Sequence, residues 1–439
     1  MDKRKHVWLV ALILAVLVIA PVGCAQPAPT ATPPAPTSEP AEQPTATSEP
    51  TAVPQPAREP TELTMWVYMS DADLAALNEV LAAWKEKTGD SVTVVNYPYF
   101  DLLNKVEVAF PAGEGPDICE IPHTNTGVWS QAGLIASIDE AMPAEERGQY
   151  QESALQSLSF EGKLYGVPLI ADTCVLMYNK ALIPEPPETM EGLIEVGKSL
   201  AKDGQYGFLL LDNNMWFGWC FVGGYGGYIF GSGPEGFDPS DLGIANEGAV
   251  QGLEYLLTLR NEHKLIPPDL DWNLLTGKFT EGKVGAIVMN ANQYPVYKQA
   301  GVDVGMAVLP KLPNGEMPRP LLNIHGLAVN AYSQKKQAAA ELAVYLGANL
   351  PLPLFKAGIG NVPVRLDVLK DPALADNPDA LAAAQQVSYS QAIPGIAEMA
   401  QVWVPANSAF ELAAKGDMAP AQALKEAEEA IRKAIAGQE

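Results

Sequence analysis

Residues 162–180, GKLYGVPLIADTCVLMYNK, constrain the fold more than any other stretch of the chain. A turn-forming Gly162 leads into two apolar pieces, 167–171 and 174–178. Both are too short for helices and rich enough in branched residues to predict buried strands. Asp172 stands between them. A carboxylate inside a buried apolar run is costly without partners, so the backbone there is expected to border a solvated space. A strand that leaves one core, passes an acidic residue and enters a second core reads as a crossing between domains.

The length agrees. A chain of 439 residues is too long for one ordinary core, and two or more domains are expected. Its 48% hydrophobic content fits a packed globular protein. A formal net charge of -24 excludes the basic stripe that nucleic-acid binding needs. The same charge suits a protein that stays monomeric at a crowded surface.

Residues 1–24 have the layout of a bacterial export signal: Lys3, Arg4 and Lys5, an apolar run over 7–20, then PVGC ending at Cys24. The run is shorter than the roughly 20 residues of a membrane-spanning helix. Residues 25–61 are rich in Pro, Ala, Thr, Ser and Glu, with TSEP occurring twice. That composition cannot bury a core and favours extended polyproline II. At about 3.1 Å per residue the segment forms a tether reaching on the order of 110 Å. The remaining cysteines, Cys119, Cys174 and Cys220, have no metal-ligand spacing and are compatible with one disulfide or with three buried thiols. The four histidines, His6, His123, His263 and His325, are too scattered to nominate a metal site.

From residue 62 the pattern is that of an α/β protein. An alternating strand over 63–68 precedes a helix over 71–87 with Leu74, Leu77, Val80, Leu81 and Trp84 on one face, ending at Gly89. A second strand over 92–95 completes a β-α-β unit, which implies a parallel sheet. Further helices are expected over 190–203, 248–264, 333–350 and 419–436, and further strands over 206–211, 284–289, 304–310 and 326–330. The glycine cluster GGYGGY at 223–228 lacks the Lys-Ser/Thr of a phosphate loop.

The crossing segment and the following ALIPEPPETM resemble the extracellular solute-binding proteins of sugar ABC importers, and most closely their maltose/maltodextrin-binding branch. GEGPDI at 113–118, QAGLI at 131–135, FTEGK at 279–283, GLAVN at 326–330 and IPGIAEM with Trp403 carry the same resemblance, which runs from about 62 to 436. It implies an α/β, two-lobe periplasmic-binding-protein fold of type II (Venus-flytrap), with discontinuous lobes and a hinge. The N-terminal lobe would hold 62–170 and 323–370, and the C-terminal lobe 171–322 and 371–439. It also makes PVGC similar to a lipobox that would lipidate Cys24, although Pro21 departs from the usual Leu. Simple cleavage nearby and retention as an uncleaved anchor are the other outcomes these residues allow.

Carried over residue by residue, the resemblance places ligand contacts at Asp172, Asn214, Trp216, Trp219, Tyr294 and Trp403. His325, beside the crossing, reads as a polar contact or a turn residue, and Asn125 lies in a loop at the mouth of the first sheet. Asp172 stands where the branch has Glu, and the loop at 121–125 lacks the branch's aromatic and charged residues. Carboxylates and amides hold vicinal hydroxyls, and aromatic rings cover apolar sugar faces. The implied function is an exported, non-enzymatic binding protein at the cell surface or in the periplasm. It would capture a carbohydrate, such as a maltodextrin, without cofactor or metal and deliver it to a membrane permease whose partner hydrolyses ATP. A binding protein for glycerol phosphate or a polyamine is the nearest alternative. A secreted glycosidase is a further one, although no motif nominates its pair of carboxylates.

Overall fold

The computed structural model describes residues 59–202, 204–233 and 236–437. The export segment, Cys24 with its expected lipid, and residues 25–58 of the tether lie outside the described residues.

The crossing stretch holds one strand rather than two. Val167–Asn179 runs for 13 residues, all buried except the half-buried Ile170. Asp172 does not interrupt it, because neighbouring strands keep its backbone in the ladder. The first half pairs antiparallel with Leu321–Asn330, where Asn323 stands opposite Asp172. The second half pairs antiparallel with Val284–Asn290 along one edge and with Val304–Ala307 along the other. Beyond Leu321–Asn330 the first sheet continues through Ile118–Pro122, Glu62–Val67 and Ser91–Asn96. Beyond Val284–Asn290 the second gains Tyr206–Leu209 in parallel. One strand therefore belongs to two sheets in turn, as a crossing requires.

Local chemistry accounts for the opening unit. Glu62–Val67 and Ser91–Asn96 pair in parallel, joined by helix Asp71–Thr88. The Ser70 side chain caps that helix by accepting from the Asp73 amide, and Asp71 and Asp73 in the first turn complement its dipole. Gly89 ends it at φ 83°, a left-handed conformation that glycine adopts without cost. The buried face is Leu77, Val80, Leu81 and Trp84, at the spacing of three and four that a helix packed on a sheet needs.

The second sheet is covered by helices that also bring the aromatic residues together. Helix Met215–Gly224 packs against Trp403–Lys415, and Gly218 makes the contact possible. A Cβ at that position would lie 2.6 Å from Phe410 Cε1 and 2.9 Å from Leu256 Cδ2, inside van der Waals contact. Helix Glu247–Asn261 is tied to the segment before Met215 by a buried ion pair, with Arg260 donating to both oxygens of Asp212 at 2.6 and 2.5 Å. The glycine cluster leads into the hairpin Phe230–Gly233 and Gly236–Leu242.

Candidate ligand-binding cleft

Three side chains from two paired strands meet where the second sheet begins. Asp172, Cys174 and Asn290 share one sheet face: Asn290 stands directly opposite Cys174, and Asp172 is two residues along the same strand. The Asn290 amide is the junction. Its Nδ2 donates to Asp172 Oδ2 at 3.2 Å, and its Oδ1 accepts from Trp216 Nε1 at 2.6 Å and from the Cys174 thiol at 3.4 Å. The indole nitrogen is a donor only, so the oxygen of the amide must face it. Asp172 Oδ1 is buried and has no hydrogen-bond partner. Burial raises the Asp172 pKa to about 6, against the lowering influence of His325, Asn290 and the Thr173 amide.

A cleft of about 660 Å³ is lined by His325, whose charge acts on Asp172, while Asp172, Cys174, Asn290 and Trp216 do not themselves line it. Tyr68, Asp73, Tyr99, Glu120 and His325 line it from segments attached to the first sheet. Asn292, Pro295, Val296 and Gln299 line it from the segment that follows Val284–Asn290. Residues Asp71, Asp73 and Glu120 make the lining acidic, and no Lys or Arg is among the described residues that line it. Tyr68 and Tyr99 meet edge to face, with ring centroids 5.0 Å apart, and the His325 ring lies 5.4 Å from Tyr68.

Glu120 and His325 form the polar wall of this cleft. His325 Nδ1 lies 3.4 Å from Glu120 Oε1, and the Tyr68 amide donates to Glu120 Oε2 at 3.0 Å. Burial lowers the His325 pKa, but the hydrogen bond and charge of Glu120, with Asp172 and Asp73 further off, outweigh it and leave the value raised. Behind them the Asn323 amide bridges His325 Nε2 at 3.3 Å and His123 Nδ1 at 2.9 Å. His123 is fully buried. Its Nδ1 accepts from the Ile324 amide and its Nε2 faces the Ile393 carbonyl at 2.8 Å. Burial lowers its pKa to about 4.

The residues singled out from sequence fall into two groups. Asp172, Trp216, Trp403 and His325 come to the cluster, the helix starts beside it, or the cleft. Trp216 and Trp403 are half-buried, and Asn407 links their helix starts by accepting from the Met215 amide and donating to the Trp403 carbonyl. His325 lies within the strand Leu321–Asn330, opposite Pro122 and Ile170, so it is no turn residue. The others are engaged elsewhere. Trp219 is fully buried and its Nε1 donates to Gln391 Oε1 at 2.8 Å, so its ring presents no surface to the cleft. Tyr294 is buried and donates to Asp379 Oδ2 at 2.9 Å. Asn214 caps the helix Met215–Gly224 by accepting from the Trp216 amide. Asn125, at the end of the short 3-10 turn His123–Asn125, accepts from Thr124 Oγ1 at 3.4 Å.

Sequence reasoning missed Tyr68, Tyr99, Glu120, Asn290 and the cleft side of helix Tyr294–Gln299. For that helix a signal existed. Asn292, Pro295, Val296 and Gln299 recur at three and four residues and face the cleft, which leaves Tyr294 and Tyr297 for the core. Cys119, Cys174 and Cys220 are free, buried thiols, so of the two states open to them the fold adopts the unbridged one.

A two-sheet α/β architecture crossed by one shared strand, with a cleft between segments of the two sheets, defines a ligand-binding protein of two lobes. The chain belongs to the bacterial extracellular solute-binding protein family, whose model matches residues 70–349. It is 32% identical over 379 residues to the galactooligosaccharide-binding protein of Bacillus subtilis (strain 168), covering 85% of this chain and 89% of that protein. It is 25% identical over 391 residues to a maltooligosaccharide ABC transporter solute-binding lipoprotein of Streptococcus pneumoniae, covering 86% and 89%. Its structure is similar to that of a cyclo/maltodextrin-binding protein complexed with maltotetraose. There the TM-score is 0.80 at 29% identity, covering 87% of this chain and 99% of that one.

Proposed function

We propose that this protein is the exported, substrate-binding component of an ABC importer and that it captures an oligosaccharide between its two lobes. The observation that carries the reading is the buried Asp172 carboxylate, whose Oδ1 has no protein partner and whose Oδ2 is tied through Asn290 to the half-exposed Trp216 ring. A sugar hydroxyl supplies the donor that Oδ1 lacks, and the aromatic ring covers the C–H face of the same unit. The chain binds and releases its ligand unchanged, and the ATP is hydrolysed by a partner of the permease.

The lobes are residues 62–170 with 323–370, and 171–322 with 371–439. They close about the strand that crosses between them, and ligand favours the closed form by touching both. Export places the monomeric protein outside the cytoplasm, held to the membrane by lipid on Cys24 and free to move on its tether. A phosphorylated ligand such as glycerol phosphate calls for Arg or Lys, and the acidic cleft offers neither. The same acidity favours a polyamine as the second reading.

Calorimetric titration of the purified, ligand-free protein tests the choice. Galactooligosaccharides, the series from maltose to maltohexaose, and spermidine form the panel. Saturable micromolar or tighter binding of a saccharide is the expected result. Heat from spermidine alone would replace the sugar reading with the cationic one, and silence from all of them in folded protein would overturn both.

A further inference from the structure

The contact between Asp172 and the Trp216 ring is indirect, and it runs through one side chain. Asn290 ends its strand opposite Cys174 and fills all the polar valences that face it: the indole N–H and the thiol on its oxygen, the carboxylate on its nitrogen. Among the common side chains of this size only an uncharged amide accepts from one neighbour and donates to the other. Aspartate would accept from the indole but set a second carboxylate beside Asp172. Leucine has the same bulk and offers neither bond.

We infer that Asn290 is the positioning residue of the ligand site, holding the Asp172 carboxylate and the Trp216 ring as one rigid unit. The inference rests on the saccharide-binding reading and deepens it. A sugar that sits on the ring while donating to Asp172 Oδ1 needs ring and carboxylate at a fixed separation, and the amide sets that separation before the ligand arrives. The second polar atom of Asp172 stays open because Asn290 occupies only Oδ2. The groups that set the charge around Asp172 are His325, with Glu120 behind it, and the buried Tyr68 and Cys174.

The test has an arm with ligand and an arm without. With the saccharide that binds the wild type, Asn290→Leu is expected to weaken affinity by at least about tenfold, the loss of a hydrogen bond to a charged group. Asn290→Asp keeps the indole bond, and the paired carboxylates move the acid limb of the affinity profile up by about one pH unit or more. A role confined to stability would move the melting temperature and leave that limb where it was. In the ligand-free arm, tryptophan emission is followed against pH. The folded wild type is expected to show a transition near the Asp172 pKa of about 6 that disappears in Trp216→Phe and in Asn290→Leu.

Unchanged affinity in folded Asn290→Leu overturns the inference, and so does an unchanged acid limb in Asn290→Asp. An emission transition that persists in Asn290→Leu, or is missing from the wild type, does the same. If no saccharide binds the wild type, the functional reading fails by itself, and the ligand-free arm still decides whether Asn290 couples the two groups.

Discussion

Glu120 and His325 face each other across neighbouring antiparallel strands, with the imidazole Nδ1 3.4 Å from the carboxylate Oε1, on the wall of the cleft. Glu120 is itself buried, and burial raises its pKa while the hydrogen bond and charge of His325 oppose that rise. Each group therefore favours the charged form of the other, while burial leaves the Glu120 pKa raised. The wall presents this acid–base pair where the neighbouring residues Leu169 and Ile170 are apolar.

His325, raised above its ordinary value, contributes stability that is fully present below the unfolded imidazole pKa and is lost as pH rises through the folded one. Glu120→Gln removes the main source of the rise. The His325 ring resonance, followed by NMR, is expected to titrate at a lower pH in Glu120→Gln than in the wild type. An equal or higher midpoint would separate the two residues electrostatically.

His123 behaves in the opposite sense. Its folded pKa is lowered to about 4 by burial, so the unfolded chain takes up the proton first and stability falls as pH drops from about 6.5 towards 4. A shift of this size corresponds to roughly 3 kcal/mol. Denaturant melts at pH 7 and pH 4.5 measure it. The difference is expected to shrink in His123→Gln, which keeps polar atoms but does not titrate, and an undiminished difference would assign the loss to other groups.

For Asp172 the prediction concerns binding. A ligand hydroxyl donating to Oδ1 favours the ionised carboxylate, so affinity is expected to fall as pH drops below about 6. Asp172→Asn flattens that dependence and weakens binding by roughly 10- to 150-fold, the range for hydrogen bonds to charged groups. Calorimetry between pH 5 and 8 reads both. Full affinity in Asp172→Ala would remove this residue from the site.

The two tryptophans of helix Met215–Gly224 are expected to separate cleanly. Trp216 is half-buried and bonded to Asn290, and Trp216→Ala is expected to cost affinity with little change in melting temperature. Trp219 is fully buried, and Trp219→Ala is expected to cost about 3–5 kcal/mol of stability, the range for emptying a large aromatic site. Thermal melts paired with titrations of the two variants distinguish the effects. Equal losses of stability would mean that the difference in exposure carries no energetic weight.

Arg260 gives a control remote from ligand chemistry. Its ion pair with Asp212 is buried on both sides, so Arg260→Met leaves an uncompensated carboxylate and is expected to cost about 3–5 kcal/mol. Chemical denaturation measures this directly. A cost below about 1 kcal/mol would show that Asp212 finds solvent once its partner is gone.

Much of the architecture was legible before any coordinates, because it rests on local rules. The β-α-β opening follows from alternation, a 3.6-residue stripe and a terminating Gly89, and those signals lie within about thirty residues. The crossing was legible from one charged residue in an apolar run. Its continuity as a single strand was not, since the ladder that carries Asp172 comes from Asn323, 151 positions away in register with it.

The partners of Asp172 and the wall of the cleft were decided only by the tertiary structure. Asp172 was visible as a buried carboxylate in need of partners, but Asn290 and Trp216 reach it from separate strands and helices. Trp216 and Trp219 are three residues apart and similar in sequence context. Packing alone gives one of them to the core, through Gln391, and leaves the other at Asn290. Glu120 and His325 show the same division. Each is an unremarkable polar residue in its own segment, and only the pairing of Ile118–Pro122 with Leu321–Asn330 sets the acid against the base. Periodicity and turn chemistry act between near neighbours and so are written along the chain. A binding site is a convergence of distant segments, and it exists only once their buried faces have been packed.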